Sequence, residues 1–285
     1  MPRVWFITGC SSGFGRQLAI TAAQNKDIVV ATSRDPSKLA DLAPLGVIAK
    51  KLDVQANDAE IKTVIDDVMS TVGPIDILVN NAGYILEGAV EEVSHQEILD
   101  QFDVNVFSQI RVLQAVLPSM RARKSGLVAN LGSIGGWSGV PAAGLYCASK
   151  AAIALYTEAL RVEMNPFNIE VTCIEPGYFR TNFLTGNHKV TAKKRIPELD
   201  CAIQSSRDAF AAYSLNQPGD PVKGAQVLFE VLTKTGRCEG RSIPGRLALG
   251  RDSLSIIGDS VAREQGMLDG WKNIVGSTDC DDVNV

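Results

Sequence analysis

The sequence predicts an α/β protein: a doubly wound parallel sheet with helices on both faces, in a single domain over residues 1–285. Two observations lead there. Short β-branched runs at 4–8, 28–33, 47–54, 75–80, 126–133 and 169–175 alternate with amphipathic stretches at 13–25, 36–43, 56–72, 96–120 and 144–165. Strands that alternate with helices form a parallel sheet, and right-handed crossovers wind it with ligands at the carboxyl ends of the strands. The second observation is that no internal repeat, low-complexity tract or linker divides the chain.

The composition, 45% apolar and 21% charged, suits one large α/β core. A net charge of −4 with no dense Lys/Arg run argues against a nucleic-acid partner. The cluster Lys193-Lys194-Arg195 reads as a solvated face. Met1-Pro2-Arg3 leads straight into a strand, so no signal peptide is expected, and no apolar run approaches the ~18–20 residues that span a bilayer. A cytoplasmic location without a membrane partner is the expectation. The six scattered cysteines read as reduced thiols, and neither His95 nor His188 stands in a ligand-like group, so no metal site is expected.

The strand at 4–8 ends in Thr8-Gly9-Cys10-Ser11-Ser12-Gly13-Phe14-Gly15 and runs into a helix. Glycines permit the tight turn and let backbone approach a pyrophosphate, while the helix N-terminus supplies amide donors. The spacing is G-x-x-x-G-x-G, not G-x-G-x-x-G. A packing role is the competing reading, and the place after an N-terminal strand favours a dinucleotide. The second strand ends in Ser33-Arg34-Asp35. An arginine here accommodates a ribose 2′-phosphate and an acid bonds a 2′-hydroxyl. Ser33 and Arg34 therefore point to NADP(H), and Asp35 leaves NAD(H) open through a one-residue shift. Asp53-Val54, closing the third strand, is placed to meet the adenine. Asn80, Ala82 and Gly83 follow the fourth strand in the run Asn-Asn-Ala-Gly, where small residues let the chain pass close to the cofactor.

Tyr146 and Lys150 stand four apart at the start of a helical segment and so share a helix face. A cation beside a phenol lowers its pKa from about 10 by roughly 1–3 units, toward the range that general acid–base chemistry needs. Alone, such a pair is most often an ordinary surface contact. After Pro176 the pattern loosens into a segment at about 178–217 that should cover a site. Pro218-Gly219-Asp220-Pro221 then opens a helix at 222–234, followed by a strand within 242–249 and a tail from about 250, helical near 254–265 and frayed from about Ser277.

Taken together these features resemble the short-chain dehydrogenase/reductase family, closest to NADP-preferring members such as fungal-type ketone reductases and the retinol and 17β-hydroxysteroid dehydrogenase-like branch. Residues 8–15 match its T-G-x-x-x-G-x-G loop and 80–83 its N-N-A-G element. Ser133, Tyr146 and Lys150 match its S…Y-x-x-x-K set, Asn105 matches the usual fourth member, and Pro176-Gly177 with Thr181 matches its nicotinamide segment, which includes Phe179. Phe14 stands where Ile or Leu is more usual. The resemblance implies a Rossmann-type fold and a nicotinamide cofactor. Tyr146 would exchange the proton, Ser133 would bond the reacting oxygen, Lys150 would hold the ribose and lower the Tyr146 pKa, and Asn105 would hold a water on the proton path. It also implies a homodimer or homotetramer paired through 96–120 and 144–165.

The implied activity interconverts a ketone or aldehyde and an alcohol, as a reductase of metabolism or secondary metabolism. Phe183, Leu184, Phe210 and Tyr213 in the covering segment, with Trp137 and Val140-Pro141, suggest an apolar or aromatic small molecule. A same-family epimerase, isomerase or dehydratase-like enzyme, or a catalytically silent NADP(H)-binding sensor, would carry much of the same pattern.

Overall fold

A computed structural model describes residues 2–280. Seven parallel strands form one sheet in the order β3-β2-β1-β4-β6-β7-β9: β1 Val4–Ile7, β2 Ile28–Ser33, β3 Ile48–Lys51, β4 Ile77–Asn80, β6 Gly126–Leu131, β7 Ile169–Pro176 and β9 Arg246–Leu249. Their side chains divide strictly by the two-residue period. Trp5, Ile7, Val29, Ala31, Ile77 and Val79 enter one core with α1 (Gly13–Gln24) and α7 (Pro221–Thr233). Phe6, Val30, Leu78 and Val128 enter the other, with α2 (Asp58–Thr71), α4 (Ser108–Arg123) and α5 (Gly144–Met164). Apolar residues on both faces are what a sheet covered by helices on each side requires.

The strand order reverses between β1 and β4, which opens a crevice at their carboxyl ends. Behind it, three buried polar groups lock β4, β6 and α5 together. Asn80 Nδ2 donates to Asn130 Oδ1 at 2.9 Å, and Asn130 Nδ2 donates to Thr157 Oγ1 at 3.0 Å. Helix ends follow their local chemistry. Asn57 caps α2 by accepting the Glu60 amide, and Asp220 caps α7 ahead of Pro221.

The structure corrects several sequence expectations. The single helix expected at 96–120 is α3 (His95–Phe102), with a Ser94/Glu97 capping box, then a π turn at Asp103–Phe107, then α4. The covering segment contains β8 (Lys189–Thr191), paired in parallel with β5 (Ile85–Glu87), and a helix α6 (Asp200–Tyr213). Three-residue strands are too short to show a period. The tail helix α8 runs from Arg251 to Val275, well beyond the expected 254–265, and a 3₁₀ turn at Gly276–Thr278 follows where fraying was expected. Residues 281–285 of the single expected domain lie outside the described residues. Among the described residues no helix is long and apolar enough to cross a membrane.

Truncating Asn130 to alanine leaves Asn80 Nδ2 without its partner in the buried interior and removes one donor from Thr157, which keeps its bond to the Ile153 carbonyl. Asn130→Ala should cost about 1–3 kcal/mol in a denaturant titration, whereas an unchanged midpoint would mean these bonds contribute nothing.

Candidate active site

The crevice is built first from the β1–α1 turn. Gly9 and Gly13 both take positive φ, +70° and +61°. The strand-4 turn braces this loop from behind. Thr8 Oγ1 accepts the amides of Asn81 (3.0 Å) and Ala82 (3.1 Å), while Asn81 Nδ2 donates to the carbonyls of Thr8 and Gly9. A Cβ at Gly9 would stand 2.9 Å from the Ala82 Cα, so no other residue fits. Ser12 occupies the N-cap of α1 yet makes no side-chain cap bond, which leaves the first amides of the helix open toward the cavity. Ser33 and Arg34 line the far end, with Asp53 and Val54 beside them. Asp35 is turned to other work: it caps the 3₁₀ turns at Pro36–Leu45 by accepting the Ser37 amide and hydroxyl, and those bonds hold its carboxyl below the usual range.

The second half of the site comes from β6 and α5. Ser133, just past β6, accepts the Gly135 amide at 3.0 Å. The first two turns of α5 carry Tyr146 and Lys150, and the buried Tyr146 phenol lies within the influence of the Ser133 hydroxyl. Lys150 is buried, donates to the Leu131 carbonyl at 2.7 Å, and places its ammonium 5.7 Å from the Tyr146 ring centre. Burial pushes the Lys150 pKa down to about 8. Tyr146 departs from the sequence expectation. Desolvation raises its pKa, and the influence of Ser133 offsets only part of that, so the phenol is firmly protonated. Sequence spacing gives the proximity of a cation but not the depth at which the pair sits, and here depth outweighs proximity.

Asn105 lies in the π turn, wholly buried. Its side chain accepts the Tyr84 amide and donates to the Tyr84 carbonyl, each at 3.0 Å, and also reaches Ser149 Oγ. Pro176, Gly177, Phe179 and Thr181 border the cavity opposite Tyr146. Their segment is held by the C-terminal elements: Asp252 in α8 accepts the Tyr178 amide at 2.6 Å, Ser253 Oγ donates to the Glu175 carbonyl, and the Gly177 amide donates to Leu249. The space enclosed is about 760 Å³.

Comparison with known proteins agrees with this architecture. Residues 3–191 match the profile of the family described as short chain dehydrogenase. The chain belongs to that family. Among its relatives, a 3-ketodihydrosphingosine reductase of Bacteroides thetaiotaomicron is 35% identical over 209 residues, 73% of each chain. Retinol dehydrogenase 8 of Homo sapiens is 37% identical over 252 residues, 82% of this chain and 79% of its own. The oxidoreductase BOA17 of Botryotinia fuckeliana is 30% identical over 282 residues, covering 96% of this chain and 98% of its own. A short-chain dehydrogenase from Streptomyces avermitilis has a crystal structure that superposes with a TM-score of 0.88 at 36% identity, over 98% of both chains.

Most of the residues singled out in this short-chain dehydrogenase converge on the one cavity, and a few do not. Gly9, Ser11, Ser12, Gly13, Phe14, Ala82 and Gly83 line it with Ser133, Tyr146 and Lys150. Asn80 turns inward to Asn130 instead of facing a cofactor, and Gly15 packs on Asn81, where any Cβ would collide with the Gly9 carbonyl. Asn105 is likewise behind the wall. Trp137, expected in the pocket, lies outside its lining: its indole N–H donates to Glu175 and the Arg246 guanidinium covers its ring at 3.8 Å. Pro141 is exposed and Tyr213 packs on Tyr178, whereas Phe183, Leu184, Phe210 and Val140 do line the space. Sequence reasoning missed Tyr84, Tyr178 and His188, all of which line the cavity. Tyr84 and Tyr178 adjoin motifs already noted, but nothing local marks His188.

The depressed Lys150 pKa is directly measurable. Lysine-selective carbon-13 NMR of the cofactor-free protein, assigned against Lys150→Met, should show one ammonium titrating near pH 8. A midpoint at the ordinary value of about 10.4 would contradict the burial described.

Proposed function

We propose that this short-chain dehydrogenase is an NADP(H)-dependent oxidoreductase that interconverts a ketone or aldehyde and its alcohol on an apolar or aromatic small molecule, working as a reductase. The observation that carries the reading is the protonated Tyr146 phenol, which shares with Ser133 a cavity lined by Phe183, Leu184 and Phe210. Two relatives are named for the two directions of such a reaction, a 3-keto reductase and a retinol dehydrogenase.

The crevice fits a nicotinamide dinucleotide. Gly9 lets the turn close against Ala82, Gly13 takes the left-handed backbone that starts α1, and the uncapped start of that helix offers amides to a pyrophosphate. Ser33 and Arg34 suit a 2′-phosphate, and the acid that would select a free 2′-hydroxyl, Asp35, is committed to its helix cap. Asp53 and Val54 would border the adenine; Pro176, Gly177, Phe179 and Thr181 would border the nicotinamide. When bound, the cofactor supplies or accepts the hydride.

The chain's own groups handle the oxygen and its proton. Ser133 Oγ already accepts the Gly135 amide, which leaves its hydrogen to point at the substrate oxygen as charge grows there. Tyr146 delivers the proton. Lys150, with no acid beside it, keeps positive charge behind the phenol and lowers the energy of the phenolate left after transfer. Asn105 is a positioning residue whose side chain fixes the Tyr84 backbone. Asn105 would also help to hold a water on the route from Lys150. Leu155 and Val162 stand exposed along α5, which suits pairing of two copies through that helix.

Two variants test the assignment. Tyr146→Phe keeps the ring and should retain NADPH binding while turnover falls by roughly 10²–10⁴-fold; near-normal turnover would sink the mechanism. Arg34→Ala should weaken NADPH by about 1.5–3 kcal/mol and leave NADH nearly unchanged when both are titrated by fluorescence. Equal losses would remove Arg34 from the 2′-phosphate.

A further inference from the structure

His188 has a place that neither the fold nor the reaction explains. It sits at the end of a 3₁₀ turn, Gly186–His188, immediately before β8, and so belongs to the covering segment rather than to the cofactor half of the molecule. Yet its Nε2 stands 2.9 Å from Ser12 Oγ, the hydroxyl that fails to cap α1. The ring lines the same cavity as Arg34. The charged groups that act on it are Arg34, at the end of β2, and Lys38, in the turn that follows. Arg16, on α1 nearby in the sequence, is engaged by Asp41 and the Lys38 carbonyl, and Lys189, next to His188, is paired with Glu87.

The Ser12 hydroxyl, the His188 imidazole and Arg34 thus line one cavity, with Lys38 acting on the ring from outside that lining, and among the described residues neither cation forms a salt bridge. The one acid that feels Lys38, Asp35, is committed to its cap on Ser37, and cations left facing an imidazole favour the entry of an anion. We propose that His188 is a phosphate-binding residue contributed by the covering segment, which with Ser12 and Arg34 contacts the 2′-phosphate of NADP(H). The proposal rests on the NADP(H) reading above. It adds a specificity-determining residue from the opposite side of the cleft.

The chemistry gives a distinctive sign. In the cofactor-free protein, burial, then Arg34, then Lys38 hold the His188 pKa below its ordinary value, so the ring is neutral at pH 7. A dianion placed beside it reverses the balance and favours imidazolium. Binding then takes up a proton, and affinity rises as pH falls through the interval between the free and bound values. Protonation of the phosphate itself, near pH 6, works in the other direction and cannot imitate this.

The test needs no turnover. Binding of 2′,5′-ADP and of 5′-AMP to the full chain is measured by calorimetry from about pH 8 to about pH 6.5, for wild type, His188→Gln, His188→Ala and Arg34→Ala. Glutamine keeps a partner for Ser12 and removes the charge. The expected result is a wild-type affinity for 2′,5′-ADP that rises toward low pH with net proton uptake. His188→Gln should lose that slope, and His188→Ala should bind 2′,5′-ADP roughly tenfold or more weakly, with 5′-AMP little changed. If Arg34→Ala discriminates between the two nucleotides while both His188 variants behave as wild type, the proposal falls and the NADP(H) reading stands. If wild type binds both nucleotides alike, both fall. Equal weakening of both ligands by His188→Ala would move the contact to a shared phosphate and also overturn the assignment.

Discussion

The site depends on one close approach of backbone to backbone. Gly9 lies against Ala82, and Asn81 donates two hydrogen bonds to Thr8 across the gap between β1 and β4. This contact joins the two strands at which the sheet reverses, so it fixes the width of the crevice and aims the start of α1 into it. A methyl group there would push the strands apart at the point where a cofactor's phosphates must be gripped. The glycine turn is therefore a structural tolerance before it is a binding motif.

Electrostatics sets the character of the other wall. Lys150 is buried with a carbonyl for a partner and, among the described residues, no carboxylate, and Tyr146 is buried where the Ser133 hydroxyl acts on it. Burial disfavours the charged form of each, so the resting site holds a neutral phenol above a lysine that yields its proton more readily than one in water. Such a site is poised to give a proton to an oxygen that is acquiring charge. The clamp formed by Asn105, Tyr84 and Ser149 keeps the loop beside Lys150 in place without entering the cavity.

Much of this was legible in the sequence because its signals are local. Alternating strand and helix patterns placed the seven-stranded sheet, and the glycine turn, the Asn-Asn-Ala-Gly run and the Tyr146/Lys150 spacing each report on contiguous residues. What the sequence did not disclose depends on distant partners. β5 and β8 are three residues each and exist only because Ile85 lies opposite Lys189. The π turn at 103–107 reads as ordinary helix. Trp137 looks like a pocket aromatic until Arg246 and Glu175, from two other strands, claim it. His188 carried no motif, since its meaning comes from Ser12 far upstream. The Tyr146 pKa was misjudged because spacing says nothing of burial.

The anchoring of residues 175–178 by Asp252 and Ser253 has a consequence for how the protein is made. The chain emerges N-terminal end first during synthesis, at about 5–20 residues per second, and a domain folds as a unit. The cradle at residues 9–15 can meet its braces at 81–82 early. The backbone at 175–178 draws partners from much later in the chain, Gly219, Leu249, Asp252 and Ser253. One wall of the cleft can thus be specified long before the other, and the cleft gains its full shape only when the last strand docks at the sheet edge.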